Sequence, residues 1–464
     1  MTAAPRLIPL AALLLAGCNL APSYSRPQPP IPATLPLAAG GGEEAGSIAG
    51  IGWRDFFTDS KLRDVIALAL ANNRDLRIAL ANVEQARAQY RIRRADLFPA
   101  LSASGGLVYQ RQPSVAGAST TGREISERYT AGVGLSAFEI DLFGRTRNLS
   151  KAALETYLAT EEARKTVRIS LIAEVATAYL ALAADREHLR IARETLAAQE
   201  AMLDLTQARQ RVGVASGLDT RQARTSYEQA RADIAAFTTA VDQDRNALDL
   251  LVGATVADTW LPDGIAPVTQ TALPVGVSST VLLGRPDVQA AEHLLIAQNA
   301  NIGAARAAFF PNISLTAALG TVSAGLSGLF GAGTGTWSVA PSIVQPIFDG
   351  GANRAGLRSA EAARDAALAG YEKAIQTAFR EVADALARHA TIGEQVAAQR
   401  ALERAAAESL RIAEGRYRLG TDSYLATLTA QQTLYAARQN RAAIELTAGA
   451  NMVELYRAFG GGLR

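Results

Sequence analysis

The side chains that could do chemistry are few. His188, His293 and His389 fall on helical periodicity, with no second histidine or cysteine at metal-ligand spacing, and Cys18 is the single cysteine. There is no Gly-x-Ser-x-Gly elbow and no His-Glu-x-x-His. The glycine-rich run 325–335 lacks the Gly-Lys-Ser/Thr that a phosphate loop needs. Most carboxylates sit beside arginine on helix faces, the ordinary solvated arrangement. Neither a catalytic constellation nor a cofactor is implied, and no metal site is expected. A formal charge of +2 over 464 residues, with no block of like charge, gives no electrostatic case for nucleic acid.

Cys18 is informative by position. Arg6 is followed by an apolar run from Leu7 to Leu15 and then Ala16-Gly17-Cys18, a signal-peptide layout whose apolar part is too short to span a bilayer as a helix. A Leu-Ala-Gly-Cys ending resembles the bacterial lipobox, so residues 1–17 are expected to be removed and Cys18 acylated. Asn19 lacks the aspartate that would resemble inner-membrane retention, which favours the outer membrane. Two or three acyl chains hold a protein to a bilayer at about 0.8 kcal/mol per buried CH₂. No later run reaches 18 consecutive apolar residues, so a membrane crossing must use strands.

The elements around these residues are written twice. Asn73-Arg74-Asp75 precedes Phe98-Pro99 as Arg285-Pro286-Asp287 precedes Phe310-Pro311, at an offset of 212. Arg211-Val212-Gly213 and Arg418-Leu419-Gly420 correspond at an offset of 207, as do Leu251-Val252-Gly253 and Ala458-Phe459-Gly460. Internal duplication follows. The expected organisation is a lipid-anchored, proline- and glycine-rich N-terminal segment over 18–60, with a linker over 19–50, a first repeat over 61–253, a linker or equatorial segment over 254–279 and a second repeat over 280–464. Each repeat opens on a helix ending at a Phe-Pro pair, running from Lys61 to Leu97 and from about Thr280 to Phe309. A β-hairpin follows, at about 100–140 and 312–346, and then long helices at about 145–252 and 350–459. The first long helix of each repeat, from Arg145 to Arg211 and from Asn353 to Arg418, would run about 100 Å before turning at Gly213 or Gly420.

Within the hairpins, Ile313, Leu315, Ala317 and Leu319 alternate with Asn312, Ser314 and Thr316, and Trp337, Val339 and Ile343 alternate with small or polar neighbours. Ala131, Val133, Leu135 and Ala137 repeat the pattern in the first half. One apolar face and one small polar face is the signature of a transmembrane β-strand. Four strands cannot close a barrel, so other copies must complete it.

The stretch from Leu283-Gly284-Arg285-Pro286-Asp287 through Ile302-Gly303-Ala304-Ala305-Arg306 to Phe309-Phe310-Pro311-Asn312 resembles the hallmark of TolC-like outer-membrane factors. Cys18 with Pro22 and Tyr24, Trp53 with Phe56 and Phe57, and Asn72-Asn73 before Asp75 are similar to the lipoprotein branch typified by OprM and NodT. The resemblance implies an α+β membrane protein. It would be a homotrimer with a twelve-stranded outer-membrane β-barrel, a long α-helical barrel and a mixed equatorial region. It further implies an exit duct of a tripartite pump, with a periplasmic adaptor and an inner-membrane transporter, usually of the RND type. Drug or solvent efflux, metal efflux and protein secretion share this body plan, and a non-conducting periplasmic spacer is the remaining alternative.

The same resemblance places function at the helix-hairpin tips. Arg211, Val212 and Gly213, with Arg416, Leu419 and Gly420, align with the adaptor-contacting tips. Asp219 and Tyr417 align with a hydrogen-bonded pair holding neighbouring tip helices closed, and Leu425 with a hydrophobic constriction. Where the family carries two aspartates, this chain has Ala426 and Thr429. Asp422 is then either a substitute carboxylate ring or a solvated turn residue.

Overall fold

The computed structural model describes residues 19–35, 51–111, 125–269 and 278–462. Cys18 and the expected signal segment lie outside the described residues. In chain order the helices and strands are α1 (Trp53–Phe56), α2 (Ser60–Asn72), α3 (Arg74–Ala95), β1 (Leu101–Arg111), β2 (Ile125–Glu139), α4 (Arg145–Arg211) and α5 (Gly217–Val252). The second half supplies α6 (Pro286–Ala307), β3 (Asn312–Ser323), β4 (Gly335–Val344), α7 (Ala352–Arg418) and α8 (Tyr424–Ala458). The duplication persists at the level of length: α3 and α6 have 22 residues each, and α4 and α7 have 67 each.

Two expected helices start or break differently. The segment expected to run unbroken from Lys61 to Leu97 divides at Asn73, whose ψ of 137° leaves the helical region. Its buried side chain accepts from Leu76 N at 2.8 Å, capping α3, and donates to Leu251 O at 2.8 Å. In the second half, Ser279–Gly284 form a 3-10 turn and the α-helix begins only at Pro286. Arg285, at ψ 138°, is held extended by the proline after it, and proline suits the first helical position.

Contacts group the chain into two compact units, each drawing on both repeats, so the sequence halves are not the units of packing. The reason lies in the strands: β2 pairs with β3, joining the two hairpins into one sheet that neither half could form alone.

The first unit comprises residues 1–28, 83–160 and 290–371 and holds this sheet, antiparallel throughout in the order β1-β2-β3-β4. The register brings Leu101, Leu135 and Ala317 onto one face with Val133, Leu319, Trp337, Val339 and Ile343. The opposite face carries Ser102, Ser104, Gly132, Gly134, Thr316, Ser338 and Ser342. A bulge between Leu135 and Phe138 corrects one expectation: Ala137, at φ 49°, is displaced and Phe138 takes the place opposite Leu315. The freed Ala137 N donates to Thr316 Oγ1 at 3.1 Å. Among the described residues the apolar face is uncovered, with Leu101, Leu319 and Trp337 exposed on it. Among the described residues, β1 and β4 each pair on one side only.

In the same unit, part of the segment expected as a linker packs on the fold. Residues 19–26 lie strapped along α6. Asn299 Nδ2 donates to Pro22 O at 2.7 Å, Asn148 Nδ2 to Asn19 Oδ1 at 3.0 Å, and Tyr24 and Arg26 both donate to Glu292. Gly303 admits this strap, since a Cβ there would stand 2.8 Å from Ala21 Cα.

The second unit comprises residues 29–82, 161–289 and 372–464. Its core packs Phe56 against Phe57 and Tyr456, with ring centroids 5.0 and 4.7 Å apart, beside Leu62, Ile66, Val175 and Leu248. Arg285, from the hallmark stretch, is buried here. It donates to Ala458 O at 2.6 Å, at the end of α8, and pairs with Asp287 and Glu381 at 2.7 and 2.8 Å. The motif is therefore a staple that satisfies a helix terminus. An 18-residue window of α4 is apolar enough to cross a bilayer, but 61% of it is buried within the fold, as in a core helix.

Candidate functional site

The α4–α5 and α7–α8 turns, both in the second unit, are built alike. At the first, Gly213 adopts φ 80°, its N–H reaches Gln210 O at 3.0 Å, and Val214 N reaches back to Arg209 O at 2.8 Å. At the second, Gly420 adopts φ 76°, its N–H reaches Tyr417 O at 2.9 Å, and Thr421 N reaches Arg416 O at 3.0 Å. Both are Schellman closures, which need a left-handed residue after the helix. A Cβ at Gly213 would meet nothing within 4 Å and one at Gly420 only Arg209 Nη2 at 3.8 Å. Conformation, not crowding, therefore requires these glycines.

After each turn the next helix is started differently. Ser216 Oγ accepts from Asp219 N at 3.1 Å, and the Asp219 carboxylate accepts from Ser216 N at 2.9 Å, a reciprocal capping box. Thr220 Oγ1 adds a bond to Gln210 Oε1 at 2.7 Å. Ser423 makes no side-chain cap; instead Arg416 grips Asp422 through both carboxylate oxygens at 2.6 and 2.9 Å. This bidentate hydrogen bonding holds the Asp422 carboxyl below its ordinary range.

The expected gate residues are thus distributed among different contacts. Asp219 and Tyr417 are not hydrogen-bonded to one another within the protomer: Asp219 is engaged in its own cap, and the buried Tyr417 hydroxyl has no partner among the described residues. Tyr417 packs instead with Met202, Ala223, Tyr424 and Leu428. Burial, with Tyr417 and Asp219 nearby, pushes the Tyr424 phenol up to about 12. Leu425 is 58% exposed, Leu419 82% and Val212 73%, so both tips present bare apolar side chains. Arg211 is exposed, whereas Arg416 is committed to Asp422.

Residues that spacing did not single out complete the site. Ser216-Gly217-Leu218-Asp219 carries a legible capping-box pattern. Arg209 gave no such signal, yet its Nη1 donates to Tyr417 O at 2.8 Å. The histidines are scattered: His188 stacks on Phe237, His293 pairs with Glu155 at 2.7 Å, and burial lowers the basicity of His389. No group of three potential metal ligands occurs among the described residues.

The chain is thus duplicated, with a two-stranded hairpin and a 67-residue helix in each half. The outer membrane efflux protein family matches residues 65–254 and 277–461, and the chain belongs to that family. It is 45% identical over 467 residues to the toluene efflux pump outer membrane protein TtgC of Pseudomonas putida, covering 100% of this chain and 96% of that protein. It is 43% identical over 460 residues to the outer membrane protein OprJ of Pseudomonas aeruginosa, covering 98% and 95% respectively. The open state of the MtrE outer membrane channel of Neisseria gonorrhoeae superposes with a TM-score of 0.86 at 39% identity, over 96% of this chain and 99% of that one. The chain is an outer-membrane efflux channel protein and not an enzyme.

Proposed function

We propose that three copies join their four-stranded sheets edge to edge into one twelve-stranded barrel, anchored to the outer membrane through acylated Cys18. The assembly serves as the exit duct of a tripartite pump. The observation that carries this reading is the sheet itself: an uncovered apolar face, a small polar face, and two edges, β1 and β4, with unpaired backbone groups. In hydrocarbon each unpaired group costs several kcal/mol, roughly, so the edges must meet other copies.

The helix hairpins stand in the periplasm, where the exposed Val212 and Leu419 with Arg211, Gly213, Arg416 and Gly420 form the surface for a periplasmic adaptor protein. The adaptor brings an inner-membrane transporter of the RND type, which selects the cargo. Small apolar or amphipathic molecules fit this reading, supported by relatives named for toluene and antibiotic efflux. Asp219, Tyr417 and Leu425 form the resting gate. Within the protomer the buried Tyr417 hydroxyl has no hydrogen-bond partner among the described residues.

The test is the mass of the purified full chain in detergent by light scattering. A mass of three protomers is expected. One protomer, or solubility of a Cys18→Ala variant in buffer without detergent, overturns the reading.

A further inference from the structure

One side chain joins the two hairpin tips. Arg209 lies in the last turn of α4, and its Nη1 donates to Tyr417 O at 2.8 Å and to Arg418 O at 3.5 Å. Those carbonyls end α7, where backbone acceptors lack intrahelical partners and the helix dipole favours positive charge. The Arg209 guanidinium carbon also lies 4.6 Å from the centre of the Tyr417 ring, a cation–π geometry. Arg209 thus grips one residue twice, by its main chain and by its ring.

The neighbouring charges do not share this task. Asp219 is engaged with Ser216, and Arg416 with Asp422, each inside its own turn. Among the described tip residues, Arg209 makes the side-chain hydrogen bonds that cross from one turn to the other. Arg209 Nε and the Tyr417 hydroxyl are buried without partners, so the hold on Tyr417 within the protomer comes from its carbonyl and ring face. Met202, Ala223, Tyr424 and Leu428 wall in the same ring, which keeps it at the height the guanidinium needs.

We infer that Arg209 is a positioning residue that clamps the α7–α8 tip to the α4–α5 tip through Tyr417 and so sets how readily the channel opens. The inference rests on the gate reading above. Any opening that slides α7–α8 past α4–α5 must break the carbonyl bonds and the ring contact together. Lysine in its place keeps a charge near the end of α7 but lacks the planar fork and stacking surface.

The test uses the full-length channel in planar bilayers, comparing wild type with Arg209→Ala, Arg209→Lys, Tyr417→Leu, the Arg209→Ala/Tyr417→Leu double variant and Asp219→Ala. Arg209→Ala should raise the open-to-closed ratio at least about fivefold, the low end for coupling between two sites. Arg209→Lys should fall between it and wild type, and the double variant should open no further than the stronger single one. A purely structural role would lower the melting temperature and leave the ratio unchanged. Wild-type currents from Arg209→Ala, or fully multiplicative single effects, overturn the clamp. Should Arg209→Ala not assemble, Arg209→Lys carries the comparison, and a wild-type ratio from it overturns the clamp. If Asp219→Ala opens the channel while Arg209 variants do not, the clamp alone falls. If wild type forms no channel, the gate reading falls with it.

Discussion

Removing the Glu292 carboxylate should release the strap that follows Cys18. Glu292 accepts from Arg26 Nε and Nη2 at 2.7 Å each and from the Tyr24 hydroxyl at 2.9 Å. The Glu292 side chain is only 10% exposed, against 52% for Arg26. Solvent therefore screens the arginine side of the pair, and its share is about 1 kcal/mol, the upper range for surface pairs. The Tyr24 bond to a carboxylate adds about 1.5 kcal/mol. A total near 2.5 kcal/mol corresponds to a rise of roughly sixtyfold in the detached fraction, at about 1.4 kcal/mol per factor of ten. A nitroxide on Ser25→Cys, an exposed position, reads this directly as the ratio of mobile to immobile spectral components. Glu292→Ala should convert an immobile label into a predominantly mobile one. Asn299→Ala should loosen Pro22, to which it is bonded, with a smaller effect at residue 25. An unchanged spectrum for Glu292→Ala would refute the reasoning, because the remaining strap contacts would then suffice without the carboxylate.

Two further outcomes follow from the second unit. Asp422→Asn should leave the sensitivity of the current to divalent cations unaltered, since Arg416 already neutralises that carboxylate; a marked loss of sensitivity in bilayer recordings would restore Asp422 as a substitute ring. Asp244 is pushed up to about 6 by burial, and further by the charge of Asp185 and a hydrogen bond to it. Its folded pKa lies above the unfolded one, so the native state holds the proton more tightly and stability falls as pH rises from about 4 to about 6. Asp244→Asn should therefore raise the melting temperature at pH 8, with the gain gone by pH 4. A pH-independent shift would show that Asp244 does not titrate between those limits.

How far the chain was legible depended on whether the signal was local. The alternation of Ile313, Leu315, Ala317 and Leu319 is a property of consecutive residues, and the sheet register preserves it. The reversals at Gly213 and Gly420 were equally plain, because a helix followed by a left-handed residue has few candidates other than glycine. Where a remote partner intervened, spacing misled. Asn73 continues a helical pattern on paper, but its side chain reaches Leu251, far along the chain, and the helix restarts. Ala137 keeps the period of two, yet the bulge hands its place to Phe138. The prolines after Cys18 read as a linker, and only Glu292, Asn299 and Gly303 on α6 reveal a strap.

The candidate gate was legible in part for the same reason. Tyr417, Asp219 and Asp422 could be marked by resemblance, but their partners could not. Asp219 turns to Ser216, Asp422 to Arg416, and Tyr417 to an arginine 208 positions away. By itself the amino-acid order determined a duplicated, strand-and-helix body with an apolar sheet face and two glycine-closed tips, since those features arise from periodicity and backbone sterics between near neighbours. Tertiary structure alone decided which repeat pairs with which, where the strap lies and what Arg209 grips. Those choices depend on complementary surfaces brought together across the chain, which no local pattern encodes.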